Sequence, residues 1–265
     1  MKNSLLWEAV HPRTKVMHYL YGTMHVSNDA AYKHLPLVRS YLEHCTLYAG
    51  EMDLADPKLI ELTSYFELPT GISLQSLYGS KKYQKLHKVV RQAFDVDLDR
   101  YSRLRPMIIA NMLAEKILTA SHPIALDQYL WSLATELQID TTGIESADQQ
   151  IDILQAIPIA TQMKMLSKSL KNVAKYKKKI ARMSVLYEAS NLGELFRTSK
   201  RSLGELRKPL LYDRNYFMAD RIDELSGGGS VFVAIGAAHL GGKFGVLRLL
   251  KKSGYRLRPL YRPQR

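Results

Sequence analysis

The chain has 265 residues, 46% of them hydrophobic and 24% charged, with 15 Gly and 10 Pro, a composition that excludes disorder and collagen-like structure. At this length folding buries roughly 70–75% of the unfolded surface without help from disulfides or a structural metal, and the single cysteine, Cys45, excludes an internal disulfide, a CxxC redox pair and a cysteine-rich zinc site. The net charge of +13 is local: residues 164–183 and 243–265 each carry eight Lys/Arg and no acid, leaving 22 bases against 25 acids elsewhere.

In chain order, Leu5 to Val10, a His-Pro-Arg-Thr turn and Val16 to Tyr21 predict a β-hairpin that runs into Gly22-Thr23-Met24-His25. Glu8 interrupts the apolar opening before a signal-peptide core develops. Ser27-Asn28-Asp29 supplies capping residues for a helix through Leu42, and Thr46 to Ala49 predicts a strand ending in Gly50-Glu51. Residues 57–225 read as mainly helical, with Pro106 opening one helix, Leu126 to Leu137 marking another, and a short strand at Ile139–Ile144 closed by Glu145. Apolar residues recur every three or four positions from Met163 to Tyr187, which predicts one long helix with a narrow stripe. Its heptad-spaced Leu166, Val173, Ile180 and Tyr187 permit a homodimer through the 163–187 helix. After Gly227-Gly228-Gly229 comes the most apolar strand, Val231 to Ile235, then Gly236-Ala237-Ala238-His239, a helix stopped by Gly254, and a last strand through Leu260.

The expected fold class is therefore α/β: one domain over 1–265, with a central mixed sheet built from about 1–56 and 226–265 around a large helical middle. No apolar run approaches the roughly 18 residues of a membrane helix. With the lone cysteine this predicts a soluble, cytoplasmic protein with no membrane span.

Strand, Gly-x-x-His, helix occurs at both ends of the chain. Loops at the carboxyl ends of strands form the ligand crevice of an open α/β sheet. Glycine there lets the backbone come close to a ligand, and a helix N-terminus beside each imidazole would oppose its protonation. His25 and His239 are thus candidate metal ligands, with Glu51 and Glu145 as carboxylates at matching strand ends. Two histidines with one or two carboxylates suit zinc, manganese, cobalt or iron, and a metal-activated water makes hydrolysis the natural inference. Structural readings stand beside this one: a hydrogen-bonded histidine at a strand end, or carboxylates that cap helices, with Asp53 or Asp148 taking their place. HExxH, GxSxG and GxGxxG are absent.

Tyr19 to Val26, Glu51, Arg105-Pro106, Asp127 with Tyr129-Leu130, Gly143-Ile144-Glu145, Asp213 to Ala219 and Phe232 to Leu240 form an ordered set that resembles the TraB/GumN family, which includes the Tiki metalloproteases. The resemblance implies an α/β core assembled from both chain ends, similar to erythromycin-esterase and ChaN-like folds. It also implies a divalent metal, manganese, cobalt or zinc, held by His25, His239 and Glu51. Arg214 and Asn215 match the family's Arg-Asn pair. Arg214 either binds a substrate carboxylate or oxyanion, or pairs with Glu145 as a structural ion pair. Glu145 is accordingly either a general base or that structural partner.

These readings converge on a metal-dependent hydrolase that acts on a peptide or small amide. His25, Glu51 and His239 would hold the metal, Glu145, Arg214 and Asn215 would be catalytic, and Gly22, Thr23 and Gly236 would form the loops around the substrate. Two alternatives remain: a non-catalytic metal, iron or haem binding protein, and a basic module engaging nucleic acid through 164–183 and 243–265. Sparse aromatic residues and no recognised motif place nucleic acid last among the partners.

Overall fold

The computed structural model describes residues 3–260. A six-stranded mixed sheet has the order β4-β3-β5-β2-β1-β6. β1 (Leu6–Val10) and β2 (Met17–Thr23) are the predicted antiparallel hairpin, with Leu6 opposite Tyr21. β3 (Leu47–Met52), β4 (Asp140–Glu145) and β5 (Val231–Gly236) run parallel to β2, and β6 (Arg256–Pro259) closes the far edge antiparallel to β1. Val231-Phe232-Val233-Ala234-Ile235 is apolar at every position because β5 lies between β3 and β2 and is buried on both faces. On the β1–β6 edge Glu8 faces Arg258 in register, and the guanidinium donates to both its carboxylate oxygens.

The α/β class, the chain-end origin of the sheet and the strand from the middle are as expected, and two helical elements differ. The helix expected after Asn28 is two pieces, Asp29–Tyr32 and Leu35–Leu42, the second with a proline in its first turn. The helix expected over 163–187 divides into Ile159–Lys171 and Val173–Glu188 at Asn172, whose side chain accepts from the Lys175 amide and so caps the second piece. Leu166 and Tyr187, two of the four heptad positions, are fully buried within the chain. Val173 is half-buried against the same core as Leu166, and Ile180 is half-buried.

The chain divides into two compact units. The first comprises 1–56, 120–147 and 183–265, so the sheet is accompanied by the helices Leu126–Glu136, Leu192–Leu203 and Arg214–Leu225. Its core centres on Leu20, Tyr21, Tyr48, Phe232 and Val233. The second comprises 57–119 and 148–182 and is helical around Leu74, Val90, Leu98, Ile109, Leu113 and Leu166. It holds 18 Lys/Arg against 8 Asp/Glu and thus most of the positive charge. Residues 261–265 of the second basic segment lie outside the described residues.

His18 on β2 is fully buried, and its Nδ1 accepts the Val231 amide at 3.2 Å, tying β2 to the start of β5. Its Nε2 has no hydrogen-bond partner among the described residues. Burial, and then the neighbouring His11, lowers its pKa from 6.5 to about 4. Between those pH values the unfolded chain takes up a proton at residue 18 that the folded chain refuses. Stability is therefore fully present above about pH 6.5 and falls as the pH drops towards 4, by about 3 kcal/mol at most from this residue. Urea unfolding at pH 7.5 and 4.5 checks this: His18→Asn, which can still accept from Val231, should have a shallower pH dependence than the wild type. Equal slopes would assign the acid lability elsewhere.

Candidate functional site

The site residues come from the carboxyl ends of adjacent strands. Thr23, the last residue of β2, stands opposite Gly236, the last of β5, and Gly50 of β3 stands opposite Ala234. His25 therefore follows β2 by two residues, His239 follows β5 by three, and Glu51 lies on β3 beside them. Glu145 ends β4, opposite Met52. The fold places all four on the same edge of one sheet.

Close backbone contact explains two of the glycines. A Cβ on Gly22 would lie 2.9 Å from Ala237 Cα and 2.9 Å from a Leu240 methyl, so its absence lets the turn Ala237–Leu240 rest on β2. Gly22→Ala should cost roughly 1–3 kcal/mol, read as a lower urea midpoint at unchanged slope; a shift near zero would mean that the turn yields. A Cβ on Gly236 would lie 3.2 Å from Glu51 Oε2 and 3.5 Å from His239 Cδ2. The Gly22 carbonyl is also gripped from behind by the buried Tyr187 hydroxyl at 2.8 Å. Thr23 is buried in the strand end.

Arg214, at the start of its helix, is the electrostatic hub. Its Nε and Nη2 donate to the two oxygens of Glu145, at 2.8 and 2.6 Å, and Nη2 also donates to Glu51 Oε1. Burial opposes the charge of Arg214, but the two carboxylates outweigh it and raise its pKa. The Glu145 side chain is 2% exposed and bound fork to fork, the geometry of the structural ion pair weighed from the sequence. Glu51 Oε2 accepts the Gly236 amide at 2.8 Å. Burial alone would raise its carboxyl, yet Arg214, His239 and that amide override it and hold its pKa at about 2. Arg214 and the Gly236 amide thus favour the charged form of Glu51.

His239 is buried, and burial outweighs the opposing pull of Glu51, lowering its pKa to about 4. The helix after Gly236 is a single turn, Ala237–Leu240, with His239 near its end, so burial rather than a helix N-terminus keeps this imidazole neutral. The fully buried Asn215 orients it. Asn215 Nδ2 donates to the Phe244 carbonyl at 2.7 Å, which fixes the amide and turns Oδ1 towards His239 Nδ1 at 2.6 Å. His239 Nδ1 must then carry the proton, leaving the lone pair on Nε2. Phe244 packs against Tyr212, ring centroids 5.0 Å apart.

His25 lies in the bend after β2, its side chain 60% exposed, with Nδ1 2.8 Å from both oxygens of Asp127. Asp127 is 102 residues away along the chain. Sequence reading noted it among the family's marks but gave it no role, and nothing local pairs it with His25.

The donor atoms of His25, Glu51 and His239 do not all lie within 4.8 Å of one another. Among the described residues the group that meets that spacing is His87, Asp97 and Asp99 of the second unit, which the sequence did not single out. There His87 Nε2 is 3.0 Å from Asp97 Oδ1 and 3.6 Å from Asp99 Oδ2.

The model of the TraB/PrgY/gumN family matches residues 5–259. Among curated proteins the chain is similar to Metalloprotease TIKI2 of Danio rerio, 24% identical over 96% of this chain and 60% of that protein. It is also similar to Metalloprotease TIKI1 of Homo sapiens, 23% identical over 96% of this chain and 61% of that protein, and to Metalloprotease TIKI homolog of Nematostella vectensis, 23% identical over 96% and 66%. The chain thus spans about 60% of the length of the curated relatives it matches. No solved structure matches at comparable significance. Among the described residues no helix is long and apolar enough to cross a membrane.

Proposed function

The chain belongs to the TraB/PrgY/gumN family, and from that membership we propose that it is a divalent-metal-dependent peptidase or amidase whose metal is held by His25, Glu51 and His239. The observation that carries the reading is the preparation of His239. It is buried, neutral, and clamped through Nδ1 by Asn215 so that the lone pair is on Nε2, beside a carboxylate kept ionised by Arg214. The names of the relatives, metalloproteases throughout, support the same class.

The donor set fits manganese, cobalt or zinc: two imidazoles and one carboxylate leave positions open on a borderline ion. Each Glu51 oxygen keeps a second lone-pair direction beyond its present hydrogen bond. When bound, the ion supplies Lewis-acid polarisation of a scissile carbonyl and makes water acidic enough to attack near neutral pH. The chain's own residues do the rest. Arg214 ion-pairs with both Glu145 and Glu51 and fixes the Glu51 carboxylate. Asn215, itself anchored on the Phe244 carbonyl, holds the His239 ring against rotation. With both its oxygens bound by Arg214, Glu145 serves better as the support of that arginine than as a general base.

A peptide library incubated with the metal-loaded chain, with and without chelator, tests the proposal. Cleavage that chelator abolishes and manganese, cobalt or zinc restores is the expected result. Uptake of metal without turnover would make the site a non-catalytic binding centre, and cleavage indifferent to chelator would remove the metal from the chemistry.

A further inference from the structure

Asp127 belongs to a segment fastened to the His25 loop. The Leu126 amide donates to the Val26 carbonyl at 3.1 Å, and the Ser121 and His122 amides donate to the Ser27 carbonyl at 2.9 and 2.8 Å. Side chains repeat the connection. The Tyr32 hydroxyl donates to the Ile124 carbonyl at 2.8 Å, the Ser121 hydroxyl donates to Asp29 at 2.8 Å, and the His122 ring stacks on Tyr32 with centroids 3.7 Å apart. Two loops distant in sequence are thus held in one arrangement, and at its end the Asp127 carboxylate meets His25 Nδ1 with both oxygens at 2.8 Å.

An ionised carboxylate only accepts, so Nδ1 of His25 carries the proton and the lone pair is on Nε2. Asn215 imposes the same choice on His239, but as a neutral amide. The two imidazoles are therefore matched in tautomer and differ in support. A carboxylate behind an N–H raises the basicity of the opposite nitrogen, and groups so placed behind a metal-binding histidine contribute about 10- to 100-fold to affinity. His25 is the exposed imidazole of the pair, on a loop rather than in the core, and it is the one that needs an external support to stay oriented.

We propose that Asp127 is a positioning residue that acts through His25: held by the 121–127 segment, it fixes the Nδ1–H tautomer and raises the affinity of the site for a divalent cation. This rests on the metal reading of the site. The other role open to Asp127 is to favour the N-terminus of the helix Leu126–Glu136, in whose first turn it lies. That role alone would leave the ring and the metal untouched.

The test uses the full chain as wild type, Asp127→Asn and Asp127→Glu. Nitrogen chemical shifts of the imidazoles in the metal-free protein report which ring nitrogen of His25 is protonated, and competition against a chromophoric chelator reports zinc and manganese affinity. The expected results are an Nδ1–H ring in the wild type and an affinity about 10- to 100-fold lower in Asp127→Asn, partly rescued in Asp127→Glu, at an unchanged unfolding midpoint. A wild-type His25 protonated at Nε2 overturns the inference whatever the metal does. Equal affinity of wild type and Asp127→Asn overturns it while leaving the metal centre standing. A wild type that takes up neither ion overturns the metal centre itself, and this inference with it.

Discussion

Arg214→Met is expected to lower folding stability by about 3–5 kcal/mol, because it strands a buried carboxylate rather than merely deleting a contact. Glu145 has 2% of its side chain exposed and accepts from both Nε and Nη2 of the same guanidinium. Without that cation the buried carboxylate loses its main counter-charge and binds a proton more readily. The loss should therefore shrink as the pH is lowered towards 5, a signature that simple loss of packing lacks. Arg214→Lys should recover only part of the loss, since an ammonium cannot bridge two oxygens of one carboxylate and a second carboxylate with a planar fork. Adding Glu145→Gln to Arg214→Met should restore a large share, the non-additivity expected of partners in one network. Urea unfolding of Arg214→Met, Arg214→Lys, Glu145→Gln and the double variant at pH 7.5 and 5 measures all of this. Strict additivity would mean that the two residues do not act as a pair.

His239→Ala is expected to lower kcat/KM for metal-dependent cleavage by about 10³ or more, equivalent to about 4 kcal/mol of transition-state stabilisation. The change removes the buried imidazole whose Nε2 is prepared for the ion and leaves Asn215 Oδ1 facing an empty space. Its effect should be separable from damage to the fold. The Asn215 amide keeps its bond to Phe244, and β5, whose apolar run anchors the sheet, is untouched. The comparison is His239→Ala against His18→Asn, a second buried histidine on the neighbouring strand with no place at the site. A loss of activity of similar size in both would trace the effect to the sheet rather than to the metal.

Much of this architecture was legible in the sequence, for physical reasons that can be named. β5 declares itself because a strand buried on both faces must be apolar throughout. The hairpin and the Pro106 helix carry their own punctuation. The repeated Gly-x-x-His pointed to one sheet edge because carboxyl ends of parallel strands converge there, and β2 and β5 do pair in parallel. What could not be read is set by contacts between distant segments. The break at Asn172 interrupts an apolar period that by itself continues straight through. The pairing of Arg214 with Glu145 was one of two open readings, since nothing local chooses between a substrate anion and a protein carboxylate. Asp127 carries no local signal for His25, because three backbone hydrogen bonds between loops place it there. The source of the depressed His239 pKa was also misassigned. A single turn follows Gly236, and burial does what a helix end was expected to do.

Whether His25, Glu51 and His239 hold one divalent ion is settled by metal content. Wild type, His239→Ala, His25→Ala and His87→Ala are each loaded with zinc or manganese, desalted and measured by elemental mass spectrometry. About one equivalent is expected in the wild type, retained in His87→Ala and lost in both His25→Ala and His239→Ala. Metal that survives the loss of His239 and disappears with His87 would place the ion at the His87, Asp97 and Asp99 group instead.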